Sequence, residues 1–191
     1  MLKVAIIVGS TRPGRKALDV AQWVYDIADE RGDAEYELVD IADFDLPLLD
    51  EPVPPSMGMY SKPHTRAWAA RIEPFDAFVF VTPEYNHSTS GALKNAIDFL
   101  YREWNNKAAA FVSYGSAGGA RAVEHLRDIM AELQIADVRQ QVMLTLADDF
   151  ENYERFTPRE HHEASVNQML DQLLTWARTM QPVREEMMVA R

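Results

Sequence analysis

Val79-Phe80-Val81-Thr82-Pro83-Glu84-Tyr85-Asn86-His87-Ser88-Thr89-Ser90-Gly91-Ala92-Leu93-Lys94-Asn95-Ala96-Ile97-Asp98-Phe99 runs from an apolar strand, through a polar loop, straight into a helix. Pro83 fixes its own φ and biases the preceding residue toward extended geometry, so the strand stops where the loop begins. Gly91 permits close backbone approach, and Leu93, Ala96, Ile97 and Leu100 recur at three- and four-residue spacing, as one buried helix face requires. Such a loop presents backbone N–H groups and Tyr85 to whatever lies above the sheet edge.

A second loop of the same kind opens the chain. Val8-Gly9-Ser10-Thr11-Arg12-Pro13-Gly14-Arg15-Lys16 follows the apolar run Val4–Val8 and leads into a helical pattern carrying Leu18, Ala21, Tyr25 and Ala28. Strand, Gly/Ser/Arg loop and helix in that order make an anion site. The first N–H groups of a helix lack intrahelical partners, and arginine adds a planar fork of donors. The charge pattern agrees: a chain of net charge -11 places Lys3, Arg12, Arg15 and Lys16 ahead of its first acid, Asp19. Gly9 and Gly14 have the spacing of Gly-x-x-x-x-Gly-Lys-[Ser/Thr], but Arg15 and Lys16 occupy the Lys and hydroxyl positions, which speaks against a nucleoside triphosphatase. The dinucleotide pattern Gly-x-Gly-x-x-Gly fails as well, because no second glycine follows Gly9 closely. The competing reading is a strand-to-helix turn with a solvated basic edge.

With these loops and the segment Ser113-Tyr114-Gly115-Ser116-Ala117-Gly118-Gly119, the chain resembles the NAD(P)H-dependent FMN reductase family, flavodoxin-like flavoproteins that include quinone and azo reductases. The matching elements spread over about residues 2 to 145. The resemblance implies that Gly9, Ser10, Thr11, Arg12, Arg15 and Lys16 surround the FMN phosphate. Pro83, Glu84, Tyr85, Asn86 and His87 would then line the isoalloxazine ring, with Ser113, Tyr114, Gly115, Ser116, Gly118 and Gly119 along its other edge. It implies no catalytic side chain, since hydride from NAD(P)H passes to the flavin and then to a diffusible acceptor such as a quinone, free flavin or azo compound. A flavodoxin-type electron carrier is the alternative, although flavodoxins use a Thr/Ser/Gly-rich phosphate loop without arginine. Ser90 stands where many relatives have proline, and Lys16-Ala17 where small or hydroxyl residues are common.

Composition sets outer bounds. With 191 residues, 47% of them hydrophobic, the expectation is one domain over residues 1–180, which the resemblance makes a flavodoxin-like FMN-binding one, followed by a tail, 181–191, without an obvious partner. The absence of cysteine excludes disulfides and thiolate chemistry. Val4–Val8 is too short for a signal-peptide core or a membrane span, so a cytoplasmic protein is expected. The acidic balance argues against nucleic acid as a partner.

Strands are expected at Val4–Val8, Glu37–Ile41, Phe75–Val81, Ala108–Ser113 and Val138–Leu144, with helices at Pro63–Ile72, Gly91–Tyr101, Ala120–Leu133 and Pro158–Met180. Near-continuous apolar strands alternating with helices imply a parallel sheet covered on both faces. Its order, 2-1-3-4-5 in a three-layer sandwich, is implied by the resemblance. The long segment Ala42–Lys62, rich in Pro and carrying Leu46, Leu48 and Leu49, either packs on its own sheet or meets a second subunit. The family commonly forms dimers or pairs of dimers, so a homodimer or homotetramer is expected, with Phe99, Tyr101 and Trp104 as further contacts. Neighbouring His161 and His162 point to different helix faces and read as a solvated helix start, and Ser113 lacks a nucleophile-elbow pattern.

Overall fold

Apolar side chains alternate along the strands, and that alternation builds two cores. The computed structural model describes residues 1–189, with side chains through Glu186. Strands β1 (Lys3–Val8), β2 (Glu35–Asp40), β3 (Ala77–Pro83), β4 (Ala108–Gly115) and β5 (Ala136–Thr145) form a parallel sheet in the order β2-β1-β3-β4-β5. Successive residues point to opposite faces, so Val4, Ile6, Val8, Val79, Val81 and Val112 enter one core. Ala5, Ile7, Phe78, Phe80 and Phe111 enter the other. Helices α1 (Ala17–Arg31) and α5 (His161–Val189) cover the first face. Helices α2 (Pro63–Ile72), α3 (Gly91–Asp98) and α4 (Ala120–Glu132) cover the second.

Helix α5 buries Val166, Met169, Leu170, Leu173, Leu174 and Ala177 in one stripe, as its periodicity predicts. In α1 the buried stripe is Ala17, Val20, Ala21, Val24 and Ala28, and Leu18 faces solvent. Small residues win that face because the helix lies close on the sheet. Phe99 and Trp104, expected at a subunit contact, are fully buried in their own core instead. The Trp104 ring sits 4.8 Å from Phe78, and its indole N–H donates to the Ile97 carbonyl at 3.1 Å. The Ala42–Lys62 segment is tied down by Asn95, which donates to the Pro47 carbonyl and accepts from the Leu49 N–H, while Leu48, Met57 and Met59 remain exposed.

Two expectations change near the C-terminus. The last helix continues through Pro182 to Val189, and Arg184 ion-pairs with Asp76 and donates to the Asn106 carbonyl at 3.0 Å. Through Arg184 this part of the helix therefore has a contact at the starts of β3 and β4, and residues 190–191 lie outside the described residues. His162 is buried rather than solvated, with Nε2 2.9 Å from an Asp149 carboxylate oxygen. Among the described residues no group of His, Cys, Asp and Glu could hold a metal, and no helix is long and apolar enough to cross a membrane.

At the sheet end where β3 and β4 start, Lys107 is buried beside a cavity of about 460 Å³. Its ammonium donates to the Glu73 carbonyl at 2.8 Å and the Ile72 carbonyl at 3.3 Å and lies over the Phe78 ring. Burial, reinforced by the nearby Arg184 charge, pulls its pKa down from 10.5 to about 7. The unfolded chain therefore binds this proton more tightly than the folded one across that window, and folding stability rises with pH from about 7 toward 10.5. Urea unfolding followed between pH 7 and 9 should show stability climbing by about 1 kcal/mol per pH unit, with Lys107→Met flattening that climb.

Candidate functional site

Three loops leave the carboxyl ends of β1, β3 and β4 and meet at one edge of the sheet, beside the position where the chain reverses its direction of strand addition. Gly9, the first residue of the basic bend, donates its N–H to the Val81 carbonyl at 2.8 Å. A Cβ at this position would lie 2.5 Å from the same oxygen and 2.9 Å from Leu93 Cδ2, so only glycine lets β1 end so close to β3. Ser90 completes the junction. Its hydroxyl donates to the Gly9 carbonyl at 2.6 Å and accepts from the Leu93 N–H at 3.0 Å, so it caps α3 and ties the two loops together.

The basic bend divides its donors. Ser10 is buried, with its Oγ 3.1 Å from the Tyr85 hydroxyl and accepting from the Arg12 N–H at 3.3 Å. Arg15 is engaged within the fold: it ion-pairs with Asp40 at the end of β2 and donates to the Ser10 carbonyl at 2.8 Å. Arg12 and Lys16 have no carboxylate partner among the described residues, and the Arg12 guanidinium lies 5.7 Å from the centre of the Tyr85 ring. Lys16 gives no side-chain cap to α1, so the helix presents its N-terminal dipole beside these two cations. Thr11 turns away, toward a second cavity of about 310 Å³ shared with Ile41, Leu46 and Asn95.

The loop after β3 is pinned at both ends. Glu84 donates its N–H to the Tyr114 carbonyl at 2.9 Å, and its buried carboxylate ion-pairs with Arg121 and accepts the Arg121 N–H at 3.1 Å. Tyr85 and Ser88 exchange backbone hydrogen bonds across Asn86 and His87, both with positive φ (49° and 72°). His87 Nδ1 lies 3.1 Å from an Arg121 nitrogen, and His125 Nδ1 lies 2.9 Å from the Ser88 hydroxyl. Glu84 thus fixes the loop as a hydrogen-bond acceptor and ion-pair partner.

The loop after β4 is shaped by Ser113, which donates to the Gly118 carbonyl at 2.6 Å and accepts from Gln141. A Cβ on Gly119 (φ 75°) would fall 2.5 Å from Ser113 Cβ, which keeps this turn tight. Ser116 and Ala117 are exposed at its crest.

Arg12, Arg15, Lys16, Pro83, Glu84, Tyr85, Tyr114 and Gly115 line a cavity of about 300 Å³, and Leu146 and Tyr153 close its remaining side. The Tyr114 hydroxyl is buried there, near the Tyr85 hydroxyl but without a well-formed hydrogen bond among the described residues, and burial together with that neighbour pushes its pKa upward. Such an orphaned donor is costly unless a ligand meets it. Asn86, His87, Ser113, Ser116, Gly118 and Gly119 belong to the same three loops without lining that cavity. Sequence patterning overlooked Leu146 and Tyr153; an aromatic amid the polar residues after β5 was the one available signal.

Sheet order and converging loops define a flavodoxin-like α/β protein, and solved structures of that class cover nearly the whole chain. FerB, a flavoenzyme NAD(P)H:(acceptor) oxidoreductase from Paracoccus denitrificans, superposes with a TM-score of 0.71 over 92% of this chain and 98% of its own, at 24% identity. RosB, solved with a bound flavin-phosphate intermediate, superposes with a TM-score of 0.73 over 95% of this chain and 81% of its own, at 16% identity. Residues 2–149 match the family model of NADPH-dependent FMN reductases, and the chain belongs to that family. Its relatives include the NAD(P)H-dependent FMN reductase C4B3.06c of Schizosaccharomyces pombe, 40% identical over 77% of this chain and 74% of that one. The quinone reductase of Escherichia coli is 39% identical over 69% of this chain and 71% of its own.

Because Ser90 bonds both Gly9 and Leu93, Ser90→Ala should lower stability by about 1–2 kcal/mol in chemical denaturation, the scale of a lost helix cap.

Proposed function

We propose that the chain holds FMN at the meeting point of the three loops and works as an NAD(P)H-dependent reductase of quinones, free flavin, azo compounds or similar diffusible acceptors. When bound, the flavin supplies the ring that takes hydride from NAD(P)H and returns electrons to the acceptor. The observation that carries this reading is the cavity between the basic bend and Tyr85, in which two cations without a carboxylate partner among the described residues and a helix N-terminus face a buried hydroxyl that makes no well-formed hydrogen bond there.

In this reading Arg12, Lys16 and the first turn of α1 hold the phosphate, and Ser10 orients both Tyr85 and the Arg12 backbone. Arg15, paired with Asp40, sets the shape of the bend. Pro83 to His87 and Ser113 to Gly119 flank the ring, where backbone N–H groups stabilise negative charge on the reduced cofactor. The Glu84–Arg121 pair keeps these two walls together, since Arg121 sits in the first turn of α4 directly after the second wall. No side chain is assigned as a catalytic acid or base. The domain spans 1–180, with the end of α5 as its final brace. A homodimer or homotetramer in the cytoplasm completes the proposal, supported by the exposed Leu48, Met57 and Met59 and by a chain without cysteine.

Removing Arg12 deletes one charged partner of the phosphate. Arg12→Ala should raise the FMN dissociation constant about tenfold to a hundredfold, measured by quenching of flavin fluorescence, and an unchanged value would refute the phosphate site.

Anaerobic titration of the FMN-loaded protein with NADH and with NADPH should bleach the flavin absorbance with at least one of them. A flavin that stays oxidised with both donors would assign the protein to electron carriage of the flavodoxin kind.

A further inference from the structure

Beyond β5 the chain forms a small hairpin, β6 (Phe150–Glu151) and β7 (Arg155–Phe156), whose base is firmly held. Phe150 is buried between Tyr114 and Phe156, with ring centres at 5.9 and 5.2 Å, and Phe156 packs edge-on against Trp23 of α1. Asp149 adds a polar brace: its buried carboxylate accepts from the Thr145 N–H at 2.8 Å and the Arg159 N–H at 3.3 Å and bonds His162, while its carbonyl accepts from the Thr157 N–H. The tip is built differently. Asn152 and Tyr153 both have positive φ, 53° and 61°. Asparagine adopts that conformation readily, whereas a bulky aromatic is strained in it.

Tyr153 is nonetheless where the turn places it, 68% exposed and on the wall of the cavity that Arg12, Arg15 and Lys16 line. An exposed aromatic held in an unfavourable backbone conformation contributes little to the fold that carries it. Glycine or asparagine would suit the turn better, and strain of this kind persists where function uses it. The firmly held base fixes the backbone from which the ring projects, at the edge of the cavity.

We propose that Tyr153 is a coenzyme clamp, closing the outer side of this cavity over the phosphate-bearing tail of FMN and slowing the coenzyme's release. This inference rests on the FMN reading above and adds a residue that neither the loop motifs nor the matched region contains, because the family match ends at residue 149. The ring covers the contacts between the phosphate and Arg12, excluding water and strengthening them, and it adds apolar surface against the carbon chain of the tail.

The test compares wild type with Tyr153→Asn, Tyr153→Phe and Arg12→Ala, reading FMN dissociation rate and affinity by flavin fluorescence and the melting temperature of each apoprotein. Tyr153→Asn removes the ring and relaxes the turn, so it should release FMN roughly tenfold faster while melting at or above the wild-type temperature. Tyr153→Phe keeps the ring and should release FMN within about twofold of wild type. Wild-type release by Tyr153→Asn, beside weakened binding by Arg12→Ala, would overturn the clamp and leave the FMN reading intact. Faster release accompanied by a lower melting temperature would also overturn it, as the mark of a structural role. A wild-type protein that takes up no FMN would overturn both.

Discussion

The geometry of the site depends on how closely β1 and β3 end together. Gly9 puts its backbone against Val81 where any side chain would collide, and the Ser90 hydroxyl holds the Gly9 carbonyl from the other side. One junction therefore sets the separation between the basic bend and the loop carrying Tyr85. Everything that lines the cavity, from Arg12 on one wall to Tyr85 and Tyr114 on the others, inherits its position from that contact. A parallel sheet suits the purpose because its strands all present their carboxyl ends, and so their loops, at the same edge.

Electrostatics then sorts the residues within that frame. In a chain of strongly negative net charge, the bend retains positive character because Arg15 alone is neutralised locally, by Asp40, while Arg12 and Lys16 stay available. The opposite wall is arranged the other way. Arg121 is engaged by Glu84 and His87, so this α4 cation braces the loop and leaves the anion attraction to the start of α1.

The five strands and the helices between them were legible because each leaves a periodic apolar trace, and in α5 Val166, Met169, Leu170, Leu173, Leu174 and Ala177 are buried along one face. Strand order was not in the pattern and came from family resemblance. Periodicity also says that a side chain is apolar without saying what covers it. Phe99 and Trp104 were therefore expected outside and lie inside, and Leu18 is the reverse. Long-range polar pairs leave no local trace at all. Arg15 meets Asp40 and His162 meets Asp149 only once the sheet has brought distant segments together. The loop motifs pointed to the three loops that converge on the cavity, but not to the division of labour among their side chains.

Helix α5 has a consequence for how the molecule comes into being. It lies against β3, β4, β5 and α1, and it contains the last described residues of the chain. During synthesis the valines and leucines of that sheet face, among them Val112, Val142 and Leu144, emerge well before the segment that covers them. The nascent polypeptide passes through a stage with a nearly finished sheet and one greasy side bare, a state prone to sticking to its neighbours. Synthesis arrested before α5 would leave such fragments behind, which makes that helix a chaperone for the scaffold that precedes it.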